Sequence, residues 1–326
     1  MRPLFLWVLT LDGQTPRVDA PLPLWIGFNV VILALLAIDL GFLRRGRTPS
    51  LRRLILTTVV WVAAAVAFGA WIGWTAGNDK GLQFFTGYVI EYTLSMDNIL
   101  LFVMIFSSFG ITPQHQGLVL FWGVLGALVM RGLMIVAGVA LIERFDWIFY
   151  VFGAYIVYAG VNLFLPQKHA ADVGEQLIVR LARRVLPLSA QTQPSRFVVR
   201  ENGQLRFTLL FLVLIVIELT DLVFALDSIP AIFGVTTDPF IVYTSNACAI
   251  LGLRSLYFLL ARAVKSLIYL QAGLGVVLIF IGAKMLLKSF VPISTGQSLV
   301  VVGGILAVAI VASLVVARTK GTHAHP

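Results

Sequence analysis

Six carboxylates, Asp39, Glu91, Asp97, Glu218, Asp221 and Asp227, and three bases, Arg131, Arg254 and Lys284, interrupt long apolar runs. An ionised side chain at the centre of a bilayer costs about 2.5–3.5 kcal/mol even on the lenient insertion scale. Such a set is tolerable only where the groups face one another, bind an ion or line a hydrated cavity. Glu91, Ser95 and Asn98 recur at i, i+4 and i+7 and share one helix face, with Asp97 beside Asn98. Glu218 and Asp221, at i and i+3, share a face as well. Asp227 lies further along and is followed by Ser228, Ile229 and Pro230. A proline there removes a backbone donor and frees a carbonyl near Leu226, which predicts a broken helix offering carbonyl ligands. Carboxylates, a carboxamide, hydroxyls and freed carbonyls form an all-oxygen donor set suited to a hard divalent cation such as Mn²⁺, Ca²⁺ or Mg²⁺. Copper and zinc prefer sulfur and imidazole, but ligand type alone does not exclude Fe²⁺.

The competing reading is that the acids only pair with bases to hold helices together. Full pairing of six acids with three bases leaves three acids to be protonated, solvated or bound to metal. Arg131 and Arg254 read as structural partners of these acids rather than ligands. Asn246 is either a hydrogen bonder in helix packing or a site residue, and Ser228 supports the second acidic stretch. Lys284 and Asn162 line the bundle, and Asp39 partners a nearby polar group. Protonation of an acid as the metal leaves would couple export to proton entry. His115, His169, His323 and His325 fall outside the apolar runs, and the last two offer weak adventitious metal binding at most. Cys248 is the single cysteine, so intramolecular disulfides and zinc-knuckle spacings are excluded.

These side chains must be positioned by membrane helices. The chain is 59% hydrophobic, with a mean hydropathy of +0.95, far outside the range of soluble domains. Apolar runs at 22–43, 54–74, 82–106, 117–141, 147–165, 207–233, 240–261, 267–287 and 298–317 each approach the length of a bilayer crossing. Backbone groups in hydrocarbon must be satisfied within the segment, so the runs are expected to be helices. The expected fold is an all-α polytopic bundle of about nine spans, one membrane domain over residues 1–326.

The net charge of +9 reads as topology rather than nucleic-acid binding, because the bases cluster in short loops. Arg44, Arg45, Arg47, Arg52 and Arg53 follow the first span, and Lys168, Arg180, Arg183, Arg184, Arg196, Arg200 and Arg206 occupy the loop 166–206. Four crossings separate these loops, so both lie on one side, with Arg262, Lys265, Arg318 and Lys320. The positive-inside rule then places the amino terminus outside and the carboxy terminus in the cytoplasm. Residues 177–186 can form a basic amphipathic surface helix or a solvated connector. The apolar run from Leu4 to Leu11 is short and lacks a cleavage site, so no signal peptide is expected. Trp25, Trp74 and Trp147, near span ends, read as interfacial anchors.

Spans three to five resemble spans six to eight. Leu94 to Ile99 answers Phe224 to Ile229, which sets Glu91 opposite Asp221 and Asp97 opposite Asp227. Leu125 to Arg131 parallels Cys248 to Arg254, and Gly153 and Gly160 have the spacing of Gly275 and Gly282. Three helices per copy is an odd number, so the second copy must be inverted, an arrangement common in secondary transporters with sites near the midplane.

Three stretches carry a resemblance to a known family. They are Thr86-Gly-Tyr-Val-Ile-Glu-Tyr-Thr-Leu-Ser-Met-Asp-Asn98, Glu218-Leu-Thr-Asp-Leu-Val-Phe-Ala-Leu-Asp-Ser-Ile-Pro-Ala231, and Val235 to Asn246 running on through Ala249 to Leu260. They resemble the TerC/Alx family of metal-homeostasis membrane proteins, first associated with tellurite resistance. The resemblance implies a bacterial inner-membrane exporter of Mn²⁺, with Glu91, Asp97, Asn98, Glu218, Asp221 and Asp227 at the family's acidic motif positions. It implies no enzyme activity and no permanently bound cofactor; Mn²⁺ is the transported ion. Alternatives are a non-transporting membrane protein that modulates redox or stress responses, of the tellurite or alkaline-pH type, and exchange of Ca²⁺ for protons.

Overall fold

A computed structural model describes residues 20–43, 50–164, 189, 196–201, 203–263, 269–288, 290, 291 and 293–322. Its helices are α1 (Leu22–Leu43), α2 (Leu51–Ala76), α3 (Asn78–Ser108), α4 (Pro113–Arg144), α5 (Trp147–Asn162), α6 (Leu209–Phe233), α7 (Pro239–Leu251), α8 (Leu253–Ala263), α9 (Leu270–Leu286) and α10 (Thr295–Thr322). Among the described residues α2, α3, α4, α6 and the 19-residue stretch of α10 up to Ser313 are each long and apolar enough to cross a membrane. The bent pair α7 and α8 makes a sixth candidate. The apolar parts of α1, α5 and α9 are shorter, at 10–17 residues.

Two expectations need correction. The seventh run is not one straight helix: it bends by 43° between Leu251 and Leu253, at Gly252. Pro230 does not break its helix, since α6 continues through it to Phe233. A proline one turn from a helix end forfeits a single backbone bond and can keep helical φ, so the chain tolerates it there. The bundle itself is all-α, and a small hairpin decorates one loop. In the loop 166–206 and just beyond, β1 (Val198–Glu201) pairs antiparallel with β2 (Gln204–Phe207), in the register Val198 with Phe207 and Glu201 with Gln204. Gly203 takes the positive φ of 79° that this tight connection requires. The segment 177–186, read as a surface helix or a connector, and the run from Leu4 to Leu11 lie outside the described residues.

The polarity of the bundle is inverted relative to a water-soluble core. Large apolar side chains such as Leu56, Val59, Val60, Leu133, Val136, Val300 and Val308 face outward, while Glu91, Arg131, Asp221 and Asn246 are buried. That distribution suits a hydrocarbon surround, where outward apolar groups cost nothing and polar groups must find one another. Trp74 and Trp147 are exposed near helix ends, as interfacial anchors should be. Trp25 instead packs edge-on against Phe240 with ring centroids 5.1 Å apart, tying α1 to α7.

Small residues set the closest helix approaches. A Cβ on Gly160 would stand 2.7 Å from the Gly275 carbonyl, and one on Gly282 would stand 2.6 Å from the Gly153 carbonyl. The earlier glycine of α5 thus meets the later glycine of α9, and the reverse, so these helices run antiparallel with their backbones in contact. Gly81 of α3 sits equally close to Gly73 of α2, where a Cβ would meet its Cα at 2.8 Å. That contact seats α3 against α2, and α3 also packs on α6 and α7.

Candidate functional site

The centre of the bundle is organised by one arginine. Arg131, near the middle of α4, is only 2% exposed and donates to groups from three other helices. Its Nη1 pairs with Oε1 of Glu91 on α3 and donates to Oδ1 of Asn246 on α7 at 2.9 Å and to Ser228 Oγ on α6 at 3.3 Å. Its Nη2 and Nε reach the two oxygens of Asp221 on α6, at 3.2 and 3.4 Å. Glu91 is fully buried; its Oε2 accepts from Asn246 Nδ2 at 3.1 Å, and its Oε1 also accepts from Ser95 Oγ at 3.4 Å. The planar guanidinium suits this task because its donors point in fixed directions toward two carboxylates at once.

Glu91, Ser95, Arg131, Asp221, Ser228 and Asn246 are therefore brought together, at mid-helix in α3, α4, α6 and α7. Asn98 is buried one turn past Ser95. Glu218 lies one turn before Asp221 and turns its carboxylate against Gly126 of α4, where a Cβ would collide with it. Among the described residues no hydrogen bond or ion pair reaches that carboxylate. Glu218 and Asp221 border a small cavity of about 10 Å³, closed by Phe102, Leu120 and Leu253. With its carboxylates ionised, the Glu91, Asp221 and Arg131 cluster carries one surplus negative charge before Glu218 is added.

Other expected members stand elsewhere. Asp227 does not join the cluster: it accepts a hydrogen bond from Tyr155 of α5 at 2.7 Å. Six residues of α-helix turn the chain through about 600°, so Asp227 points away from the Asp221 face. Lys284 donates to Ser298 of α10 at 2.8 Å rather than meeting the cluster acids. Arg254 lies beyond the Gly252 bend, partly buried in α8. The side chains of Asp39 and Asp97 lie outside the described residues, as do His169, His323 and His325. Among the described residues no group of three His, Cys, Asp or Glu side chains has metal-holding geometry.

Sequence reasoning missed a second buried pair. Lys80, in the first turn of α3, meets Asp238 at 3.0 Å, and both are buried. The other Asp238 oxygen caps α7 by accepting from the amides of Phe240 and Ile241 at 3.1 and 3.3 Å. Thr236 beside it donates to Gln83 at 2.7 Å. The signal was present: Asp238 followed by Pro239 is an N-cap with proline at the first helical position.

The chain resembles known proteins along nearly its whole length. The model of the integral membrane protein TerC family matches residues 76–321. A membrane protein of Myxococcus xanthus, STKORF319, is 47% identical over 308 residues, which is 94% of this chain and 96% of its own. A protein of Escherichia coli K12 with the provisional name of membrane-bound redox modulator Alx is 45% identical over 299 residues, covering 89% and 93% of the two chains. A Rickettsia felis membrane protein is 37% identical over 292 residues, 89% of this chain and 97% of its own. No solved structure matches. By its motifs, its inverted polarity and this match, the chain is an integral membrane protein of the TerC family.

Proposed function

We propose that this protein exports a divalent cation, Mn²⁺ foremost, across the bacterial inner membrane for metal homeostasis. One observation carries the reading: buried carboxylates outnumber the base at the centre of the bundle, and every other donor there is oxygen or amide. Taking several charges out of water costs several kcal/mol per ion, which a surplus acid recovers only with a counter-cation or a proton. Glu91 and Asp221 are the central acids of the site, with Glu218, Asp97 and Asn98 on the path to them. Asp227, held by Tyr155, stands to one side of that path. Mn²⁺ is placed ahead of Ca²⁺, Fe²⁺ and Mg²⁺ by the family resemblance, and protons are the coupling ions of the simplest exchange.

The topology that goes with this reading is a single membrane domain of nine spans with the amino terminus outside. The second group of three helices is an inverted copy of the first. Two contacts support the repeat. The matched acids Glu91 and Asp221 meet on one arginine, and the matched glycines of α5 and α9 meet across an antiparallel seam. The pairing of Lys80 with Asp238 supports the parity, since the turns before α3 and α7 must then share a side.

Mn²⁺ flux into inverted vesicles tests the function. Wild type is expected to give saturable flux, and Asp97→Asn or Asp221→Asn is expected to remove it while the protein still inserts. A purified wild type that moves no divalent cation under any gradient would overturn the reading. The name carried by the Escherichia coli relative favours redox modulation as the second reading. Cys248, which lines an apolar cavity of about 270 Å³ with Phe28, Trp61 and Phe68, is the group such a role would need. Cys248→Ser is expected to leave Mn²⁺ flux unchanged; a wild type without Mn²⁺ flux, together with a thiol-dependent redox response that Cys248→Ser removes, would favour the redox role.

A further inference from the structure

Arg131 sits where a cation would sit. Both Asp221 oxygens accept from its guanidinium, and the Glu91 oxygens are filled by Arg131, Ser95 and Asn246. A cargo cation cannot coordinate those oxygens while the guanidinium holds them. Glu218 offers the arginine a second seat. Its carboxylate lies against Gly126 of α4, one turn along α6 from Asp221, the acid that the guanidinium already holds. Glu218 also shares a face of α6 with Asp221 and borders the same small cavity, which has about the room of one water. The three carboxylates and Arg131, all ionised, sum to two negative charges, the amount that one divalent cation cancels.

We propose that Arg131 is a tethered counter-cation that moves between Glu91 and Glu218, with Asp221 as its pivot. In the form described here it rests on Glu91 and stands in for the cargo. When the divalent cation arrives, Glu91, Ser95 and Asn246 take it and Arg131 swings to Glu218. The idea rests on the cation-export reading and adds a residue that offsets part of the empty carrier's negative charge and competes with the cargo. Arg131 is a positioning residue in this scheme and never a ligand.

The test uses purified full-length protein and Mn²⁺ itself, read as binding to the solubilised protein and as two kinds of flux in proteoliposomes. Arg131→Gln is expected to bind Mn²⁺ about tenfold more tightly, a coupling within the usual range between two ligands that exclude each other. It should lose net efflux, because the emptied acids then lack their one built-in counter-charge, yet keep Mn²⁺/Mn²⁺ exchange. Arg131→Lys should restore part of the net efflux. Glu218→Gln should weaken Mn²⁺ binding in the wild-type background and have no effect beside Arg131→Gln, because Glu218 acts through the arginine. Parallel loss of exchange and efflux in a folded Arg131→Gln overturns the proposal. So does a Glu218→Gln effect that persists in that background, which would make Glu218 a direct ligand. Should Arg131→Gln fail to fold, the same cycle on Arg131→Lys decides, and an undiminished Glu218 effect there overturns the idea. Absence of saturable Mn²⁺ flux in the wild type would instead sink the export reading itself.

Discussion

Two buried ion clusters sit about a dozen residues apart along α3, and they differ in charge balance. At the end of the helix, among the described residues, Lys80 meets Asp238, and the other Asp238 oxygen accepts from two backbone amides. At the middle Arg131 faces both Glu91 and Asp221, with Glu218 nearby and lacking a protein donor among the described residues. The first sets a base against an acid and pins the start of α3 to the turn before α7. The second leaves charge over. Burial of ionisable groups is thus a poor marker of function by itself, since a buried pair can be purely architectural. Imbalance at mid-membrane is the better marker, because a surplus carboxylate there persists only if something positive visits it.

The sharpest way to break this comparison is to alter both clusters and measure flux and stability separately. Glu91→Gln is expected to reduce saturable Mn²⁺ flux to that of empty vesicles. Lys80→Met is expected to cost about 3–5 kcal/mol of stability, the usual penalty for orphaning one partner of a buried pair. Reversible unfolding in mixed micelles measures that cost, and flux per folded molecule should stay at the wild-type level. A flux defect beyond the loss of folded protein would show that the end pair also has a transport role. Gly275→Ala places a methyl against the Gly160 carbonyl and the Phe164 ring. It is expected to destabilise the α5–α9 seam by about 1–3 kcal/mol, the usual cost of overpacking, readable in the same unfolding assay. Tyr155→Phe removes the hydrogen bond to Asp227 and is expected to cost about 0.5–1.5 kcal/mol, with flux little changed. A large flux defect in that variant would bring Asp227 back to the centre of the site.

Much of the helix layout was legible because the bilayer imposes it. Most described helices begin and end within a few residues of the apolar runs, since a backbone in hydrocarbon must satisfy itself locally. The bend at Gly252 was not legible. The run 240–261 is apolar throughout, and hydropathy carries no information on helix direction. Pro230 pointed the other way, because a proline's effect depends on its distance from a helix end that hydropathy locates only loosely.

The site divides along the same line. Residue types and the 3.6-residue period sufficed to put Glu91 with Ser95, and Glu218 with Asp221, because those pairs lie within one helix and need no knowledge of the others. An excess of acid over base was equally visible in the chain, as was the similarity of the stretches around Glu91 and Asp221. Which acid meets which base was not, because an arginine on α4 can face any of its neighbours until packing orients it. Tertiary structure decided that Arg131 takes both matched acids, that Tyr155 takes Asp227 and that Ser298 takes Lys284. Composition and period act through the local backbone and are written along the chain; the partners of a buried charge are set by helix rotation, which only the packed bundle determines.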